Sequence, residues 1–517
     1  MADTNVTTGT VCYHCNQSLT RPDINIRTSP IHTMFGCGGL APSQAILVNE
    51  VVTATLVDIS ELDREISRFR AAIEELELKR TALQSFANTQ KFLLNPISRL
   101  PAEVLSHIFQ LCVVVSWTDP DIRRDGHYYA DRKTPMAISS VSRPWRDVAL
   151  STPRLWSEFS LVLRPKDAKQ HIALASMWLS RSGNSPLSIH LESHKNIRDP
   201  MRKVLEVFAV KSTRWRNIHF KLPLPMLACM SFIKSRLPTL EMLELEAWDE
   251  DILPLSYIDI FAHAPRLHTF FALDNVTKST LVLPWNLIQV IKVNSEISLS
   301  SAIDLLELTP NIKSCELRVH RYDREPMPAH AIVQLPALRS LSVKFFTRNS
   351  TPYALFHTLC MPNIHKLSLD RTVSSYMTDA ETSADHWLAG KEMVQILKAM
   401  PQLQVLEVRD YPPRFISDDF LEAFSQLSPS GTPILCPNLQ TICFRYFPSI
   451  DLVPFALVLH ARGSSDTQKG LHTVTLVYTS GQETALNNLR TSAEWSSLRD
   501  SNIDLQVRDE MTHAEWA

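Results

Sequence analysis

Apolar residues recur at alternating intervals of three and four along residues 45–92, which is the heptad pattern of a coiled-coil helix. Charged side chains fill the outer faces of this helix. The apolar seam consists of Val48, Val52, Ile59, Leu62, Ile66, Phe69, Ile73, Leu76 and Leu83, and Arg80 interrupts it at an a position. The pattern leaves two arrangements open. Residues 45–92 form a homodimeric coiled coil, or the helix folds onto the rest of its own chain.

A second helical pattern lies in residues 95–112, NPISRLPAEVLSHIFQLC. Pro101 suits the first turn of a helix, and Glu103 complements its positive end. The apolar positions that follow are Val104, Leu105, Ile108, Phe109, Leu111 and Cys112. This stripe is wider than a seam that faces one neighbour. We therefore expect the helix to contact two neighbours, of which one could be another protein.

A third helical pattern covers residues 137–161, in which Ile138, Val141, Trp145 and Val148 recur at helical spacing. The polar stretch before it, residues 116–135, is predicted to be a loop. Pro153 ends the pattern, and Leu155 and Trp156 follow. Together with residues 95–112, this segment predicts a small all-helical module.

A motif of the form Pro-x-apolar-x-x-apolar-x-apolar recurs between residues 210 and 480. Its first apolar positions are Trp215, Leu240, Leu267, Ile288, Ile312, Leu338, Ile364, Leu403, Leu439 and Leu471. They are 21 to 27 residues apart as far as Ile364 and 32 to 39 residues apart beyond it. Each motif ends in a short strand with one buried face, and helical spacing precedes Pro265, Pro310 and Pro401.

Units of helix, turn and strand with this period are typical of a leucine-rich-repeat solenoid, whose strands form a binding face. The alternative is a compact α/β domain in which the similarity is accidental. The charged strand positions are mixed in sign and are expected to be mostly solvated; they include Glu241, Glu244, Glu316, Lys344, Glu407 and Arg409. They indicate no preferred ligand charge. The concave strand face is expected to bind a partner, and nothing in it marks chemistry.

Composition removes several classes of function. The formal net charge is −2 and no basic domain is present, so nucleic acid is not an expected partner. The chain has only 11 glycines and lacks the glycine-rich motifs of nucleotide-binding enzymes and hydrolases. No secretory signal or membrane span is expected, and nine scattered cysteines fit a reducing compartment, the cytoplasm or nucleus.

One half of a zinc-binding motif occurs near the N-terminus. Cys12 and Cys15 have Cys-x-x-Cys spacing, and His32 and Cys37 could complete four ligands. The second half is not a recognisable pair. Reduced thiols in a flexible arm are therefore the simpler interpretation, and no cofactor is expected.

At this point two segments carry a family resemblance. LPAEVLSHIF (100–109), followed by VSRPWRDVALSTPRLW (141–156), resembles an F-box, and the whole arrangement is similar to the large F-box families of mushroom-forming (basidiomycete) fungi. The match covers about 65 residues. Two positions depart from the family pattern: Ser142 replaces the usual Cys, and Pro144 would start the second helix late or kink it.

The resemblance implies that the chain docks onto the small Skp adaptor of an SCF (cullin–RING) ubiquitin ligase and selects its substrate. Carried over by motif, the adaptor-binding residues are Leu100, Pro101, Val104, Leu105, Ile108, Phe109, Val141, Trp145 and Trp156. The chain itself would then carry no catalytic residue. Two alternatives are a coiled-coil and leucine-rich-repeat scaffold outside ubiquitin transfer, and a zinc-dependent enzyme.

The expected fold class is a multi-domain α+β chain: a coiled-coil helix, a small all-α F-box and an α/β leucine-rich-repeat solenoid. The expected segments are a flexible arm (1–44), the coiled-coil helix (45–92), the F-box (93–160), a linker or cap (161–210), the repeats (211–480) and a C-terminal cap or tail (481–517).

Overall fold

A computed structural model of the chain describes residues 21, 23–30, 40–94, 96–113, 133–193, 199–248, 258–272, 281–320, 332–346, 352–371, 389–409, 417–429, 431–445, 453–463, 470–478, 491, 493, 496 and 503–509. The chain divides into two compact units, Met1–Pro101 and Ala102–Ala517. The division falls inside the segment 93–160 that was expected to form one module.

Twelve α-helices occur among the described residues. They are α1 (Pro42–Leu94), α2 (Ala102–Cys112), α3 (Lys133–Val141), α4 (Arg143–Leu150), α5 (Ala168–Arg181), α6 (Asp199–Ala209), α7 (Leu224–Ala228), α8 (Leu299–Leu308), α9 (Pro352–Phe356), α10 (Gly390–Lys398), α11 (Asp418–Ser425) and α12 (Val453–Gly463). None of these described helices combines the length and the apolar composition needed to cross a bilayer.

Fifteen strands occur in the same residues. They are β1 (Glu158–Val162), β2 (Leu187–Glu192), β3 (Trp215–Pro223), β4 (Met242–Trp248), β5 (Thr269–Ala272), β6 (Val290–Ser298), β7 (Ser314–His320), β8 (Val333–Gln334), β9 (Ser340–Phe345), β10 (Leu359–Cys360), β11 (Lys366–Arg371), β12 (Val405–Arg409), β13 (Thr441–Arg445), β14 (Thr473–Tyr478) and β15 (Asp504–Asp509).

Thirteen of these strands form one parallel sheet, in which they follow one another in chain order; β8 and β10 form a separate parallel pair. The molecule is therefore a mixed α/β protein built around a large parallel sheet. Such parallel pairing requires a crossover between successive strands, and α8, α10, α11 and α12 each lie in one.

The ten repeat anchors explain the common register of the sheet. All ten are buried, and nine of them stand two residues before their strand, as Leu240 does before Met242. Trp215, the tenth, opens β3, and Asn217 of that strand pairs with Met242. The same register step links each strand to the next, so one apolar position per unit sets the alignment.

Alternation along the strands gives the sheet one apolar and one polar face. In β9 the buried residues are Leu341, Val343 and Phe345, and Ser342 and Lys344 between them are half-buried. The same period of two appears in β7, β11 and β12. This is the burial pattern of strands with one face in the core.

Side-chain amides in the turns join successive units. Asn311, Asn363 and Asn438 each follow the Pro of their motif. Each donates a hydrogen bond to a turn carbonyl of the preceding unit: Asn311 to Asn286 O at 2.8 Å, Asn363 to Pro336 O at 2.9 Å and Asn438 to Pro401 O at 3.1 Å. These bonds tie neighbouring units together outside the strand ladder.

Several boundaries differ from the sequence-based expectation. The sheet begins at Glu158 and includes β2, so the predicted linker 161–210 contributes a strand and two helices. It was missed because β1 and β2 lack the Pro-anchored motif. Residues 504–509 of the predicted tail form β15. Ile258 makes an isolated bridge to Leu281 where a helix was expected, whereas α8 and α10 confirm the other two helices.

Candidate protein-binding surfaces

Helix α2 divides its apolar residues between two faces. Leu105 and Phe109 are buried, with 6% and 1% of their surface exposed. Val104 and Ile108, one position earlier in each turn, are 43% and 37% exposed, and Leu111 continues this outward row at 72%. One face therefore packs against the helix's own unit, and the other presents aliphatic side chains to solvent.

Packing against α4 fixes the orientation of α2. The Phe109 and Trp145 rings lie 4.9 Å apart at an interplanar angle of 50°, a tilted aromatic contact. Thr152, just after α4, donates from Oγ1 to Ser106 Oγ of α2 at 3.0 Å. These contacts hold Val104 and Ile108 outward because the opposite side of the helix is anchored.

Ser142 and Pro144 settle how α4 begins. Ser142 has extended backbone angles and caps the helix, and its Oγ accepts from Trp145 N at 3.3 Å. Pro144 lies in the first turn, where its missing N–H costs no hydrogen bond. Pro144 therefore starts α4 as a separate helix after α3 and does not kink it.

The nine residues inferred from the F-box resemblance do not lie in one environment. Val104, Ile108, Val141 and Pro101 are exposed, and Leu100 and Trp145 are half-buried. Leu105, Phe109 and Trp156 are buried, so they pack inside the unit and do not form part of its surface. Exposed Met136 and Leu150, on α3 and α4, were not anticipated.

Trp156 belongs to the interior of the second unit. Its Nε1 donates to Ala149 O at 2.8 Å, and its ring lies edge-on to Trp178 at 4.8 Å. The Arg181 guanidinium lies over the same ring, 4.4 Å from its centroid. Trp156 therefore links α4 to α5 and to the start of the sheet, which accounts for its complete burial.

The polar face of the sheet forms a second surface. A groove of about 330 Å³ opens over β7, β9, β11, β12 and β13. Its lining residues are Glu316, Ser342, Lys344, Ser368, Leu369, Asp370, Glu407, Val408, Arg409, Cys443 and Arg445. Three basic side chains balance three acidic ones, so the groove is polar without a dominant charge.

Ion pairs between neighbouring strands organise this groove. Lys366 Nζ lies 2.7 Å from Glu407 Oε1, and Lys292 Nζ lies 2.8 Å from Glu316 Oε2. Arg409 and Asp370 are 3.9 Å apart. Apart from Asp370, which is 14% exposed, the groups are about a third or more exposed, so each pair contributes little to stability and most of the charges stay accessible to a partner.

Towards β1, the same polar face is buried. Ser160, His190, His219 and Glu244 pair in register across β1 to β4 and are between 1% and 4% exposed. Ser160 Oγ lies 3.4 Å from His190 Nδ1, and the two imidazole rings are 4.2 Å apart. His219 Nδ1 lies 3.3 Å from Glu244 Oε2. Glu244 was expected to be solvated, and its burial is the clearest departure on this face.

This buried row contains the residue types of a Ser-His-carboxylate catalytic triad. A substrate could not reach it, however. A serine, an imidazole and a carboxylate serve catalysis when a substrate reaches the hydroxyl, and Ser160 is only 1% exposed. The described residues also hold no group of three or more His, Cys, Asp or Glu that could hold a metal ion. The candidate zinc ligands Cys12, Cys15, His32 and Cys37 lie outside the described residues.

The molecule therefore offers two accessible surfaces with different chemistry: an apolar helical face centred on Val104 and Ile108, and a polar groove on the sheet. Both are suited to binding proteins. No protein-family model and no curated protein matches this sequence.

Proposed function

We propose that the chain is the substrate-recognition subunit of an SCF (cullin–RING) ubiquitin ligase. Its F-box-like helices would bind the Skp adaptor, and through it the cullin, while the sheet would bind a protein substrate. The chain would act in the cytoplasm or nucleus and need no cofactor. The observation that carries this proposal is the exposed pair Val104 and Ile108, held outward by buried Leu105 and Phe109.

The apolar face supports adaptor docking on energetic grounds. Aliphatic side chains at the centre of an interface are shielded from water by a polar rim and contribute much of the binding energy. Glu103 and His107 flank Val104 and Ile108 on exposed positions of α2 and supply such a rim. Residues 102–109 of the LPAEVLSHIF motif lie on this same helix, so most of the sequence resemblance coincides with the exposed face.

The sheet supports the second half of the proposal. Parallel strands that follow one another in chain order, with an anchor at each turn, are the arrangement expected of a leucine-rich-repeat solenoid. The mixed-sign groove would bind a substrate segment through paired charges and hydroxyls. The chain would then promote ubiquitin transfer by proximity alone, because it holds the bound substrate at high effective concentration near the ubiquitin donor.

Co-purification tests the adaptor assignment. Full-length tagged protein should retain the Skp adaptor and cullin of its own organism. V104D/I108D should lose at least about 30-fold in adaptor affinity, because charges would replace two central aliphatic contacts. The matched control is V210D/I332D, which alters two exposed aliphatic residues elsewhere in the same unit. Failure of folded wild type to bind, or equal binding by both double variants, would remove the adaptor assignment.

Charge reversal in the groove tests the substrate assignment separately. R409E/R445E should release the proteins captured with wild type while adaptor binding stays unchanged. K166E/K169E, at two exposed lysines outside the groove, is the control. If captured proteins persist on R409E/R445E, the groove is not the substrate-binding surface.

The second candidate function is a scaffold outside ubiquitin transfer. The observation that favours it is the apolar seam of α1, which is exposed along most of the helix. A scaffold would assemble through this seam without needing α2. A V104D/I108D variant that keeps every partner of wild type would support the scaffold over the ligase subunit.

A further inference from the structure

Helix α1 presents a heptad seam that the described residues leave exposed at most of its positions. Ile59, Ile66, Ile73, Leu76 and Leu83 are 45% to 68% exposed, and the helix runs 53 residues, or about 80 Å. Large apolar side chains exposed in a row mark a surface that another helix covers. The seam therefore needs a partner of matching length and matching heptad register.

The N-terminal segment of the same chain lies along a different flank of α1. Arg21 Nη2 lies 2.8 Å from Glu61 Oε2, and Arg27 Nη2 lies 2.7 Å from Asp58 Oδ2. Glu61 and Asp58 occupy c and g positions of the heptad, next to the seam but outside it. Both ion pairs therefore fall outside the a and d positions, of which Ile59, Ile66, Ile73, Leu76 and Leu83 stay exposed while Leu62 and Phe69 are half-buried.

We propose that a second copy of the chain covers this seam, so that the two α1 helices form an antiparallel coiled coil. In this register Ile66 faces Phe69 of the second copy, Leu62 faces Ile73, and Ile59 faces Leu76. The helix begins at Pro42 and ends at Leu94, and this register pairs nearly its whole length. In the three central layers an isoleucine at an a position meets a leucine or phenylalanine at a d position, so each of these layers joins one β-branched and one larger side chain.

The polar core positions select the antiparallel arrangement. Arg80 and Thr55 interrupt the apolar seam at an a and a d position. In the antiparallel register Arg80 faces Thr55 of the second copy, so the two polar positions share one layer at each end. In a parallel dimer Arg80 would face Arg80, and two like charges would meet inside the seam, which is unfavourable.

Flanking charges agree with the same register. Asp63 and Arg70 occupy e positions, and antiparallel helices bring e positions together. Asp63 of each copy then faces Arg70 of the other, giving two symmetric pairs of opposite sign. A further consequence is that the two chains leave the coiled coil at opposite ends, about 80 Å apart.

Sedimentation of the full-length chain tests the association. Wild type should be a dimer at micromolar concentration, and I66D/I73D should be monomeric with helix content intact by circular dichroism. The control V57D/L78D places the same charges at exposed f positions, on the outer side of the helix, and should remain dimeric. A monomeric wild type, or equal behaviour of the two variants, would overturn the proposal.

Cross-linking tests the direction. A mixture of I59C and L76C proteins treated with a short bis-maleimide should yield a peptide pair joining positions 59 and 76, identified by mass spectrometry. Neither variant alone should yield a 59–59 or 76–76 pair. Those pairs would instead indicate a parallel dimer and contradict the proposal.

A charge substitution gives an independent test of direction. T55E places a carboxylate opposite Arg80 in the antiparallel register, and we expect a roughly threefold to fivefold lower dimer dissociation constant from two such pairs. In a parallel dimer the two new carboxylates would face each other and weaken association. Weaker association would therefore contradict the antiparallel register.

Discussion

Two parts of one sheet share a register but differ in what surrounds them. Ser160, His190, His219 and Glu244 in β1 to β4 occupy the same row as Ser342, Ser368 and Glu407 in β9, β11 and β12. The first group is almost fully buried, and the second lines an open groove. Residues in the same row of the sheet therefore differ in role. Those in the buried part are structural, and those in the open part are accessible to a ligand.

The difference teaches that strand alternation alone does not assign function. Alternation predicts which side chains leave the apolar core, but it does not predict whether solvent reaches them. In the first part the polar side chains are almost fully buried and contact one another across the strands, where burial of polar groups is costly. In the second part, over β7, β9, β11, β12 and β13, they can exchange water for a partner, which agrees with the proposal that substrate binds there.

The largest expected effect comes from substituting matched glutamates in that row. E244A should lower the free energy of unfolding by about 3–5 kcal/mol, because it removes one member of a buried His–Glu contact. E407A, in the open part, should change it by less than about 1 kcal/mol. Urea unfolding of both variants measures the difference. Equal losses would mean that the two parts are not differently surrounded.

Within one strand, substitutions on the buried face and on the open face should differ almost as much in their effect on the free energy of unfolding. L367A removes a fully buried side chain of β11 and should cost about 2–5 kcal/mol. S368A, the next residue on the open face, should stay within about 0.5 kcal/mol of wild type. Thermal and urea unfolding provide the comparison. A destabilising S368A would show that the groove is held by its hydroxyls.

A buried thiol gives a pH-dependent effect of intermediate size. Burial raises the pKa of Cys436 from 9.0 to about 12. Above pH 9 the unfolded chain loses this proton and the native protein keeps it, so stability is present below pH 9 and falls as pH rises towards 12. Between pH 8 and pH 10 the loss is about 1.4 kcal/mol.

The variant C436A should lack this pH-dependent component. The difference in unfolding free energy between wild type and C436A should therefore shrink by about 1.4 kcal/mol from pH 8 to pH 10. C112A, at an exposed thiol, serves as the control. Urea unfolding at pH 8 and pH 10 measures both. A constant gap between wild type and C436A would contradict the burial of this thiol.

The smallest expected effect concerns the turns that both parts of the sheet share. N363A removes the hydrogen bond to Pro336 O and should cost about 1 kcal/mol. K398A, at a nearby exposed position, is the control and should be close to neutral. Hydrogen exchange at the adjoining strands β9 and β11 should rise in N363A alone. Unchanged exchange would mean that the amide does not join the units.

Much of the fold followed from local pattern. The ten anchors and the register of the strands they precede were predictable because a Pro and spaced apolar residues repeat. Helices α1 and α2 were predictable from heptad and turn spacing. The Asn after Pro310, Pro362 and Pro437 was visible in the sequence as a recurring pair, yet its hydrogen bond depends on the neighbouring unit.

Other features depended on contacts between distant segments. Strands β1 and β2 carry no Pro-anchored motif, so nothing local distinguished them from a linker. The burial of His190 and Glu244 required knowing that solvent does not reach their face. In α2 the spacing predicted a wide apolar stripe, but only the packing of Phe109 on Trp145 separates the exposed residues from the supporting ones.

Hydrogen exchange of the full-length chain with and without its Skp adaptor tests the central claim most directly. We expect protection of residues 102–112 and 143–156 on adaptor binding and unchanged exchange over 314–345 and 405–445, because the helical face and not the groove would be covered. Absence of binding, or protection confined to the sheet, would contradict the proposed docking of α2.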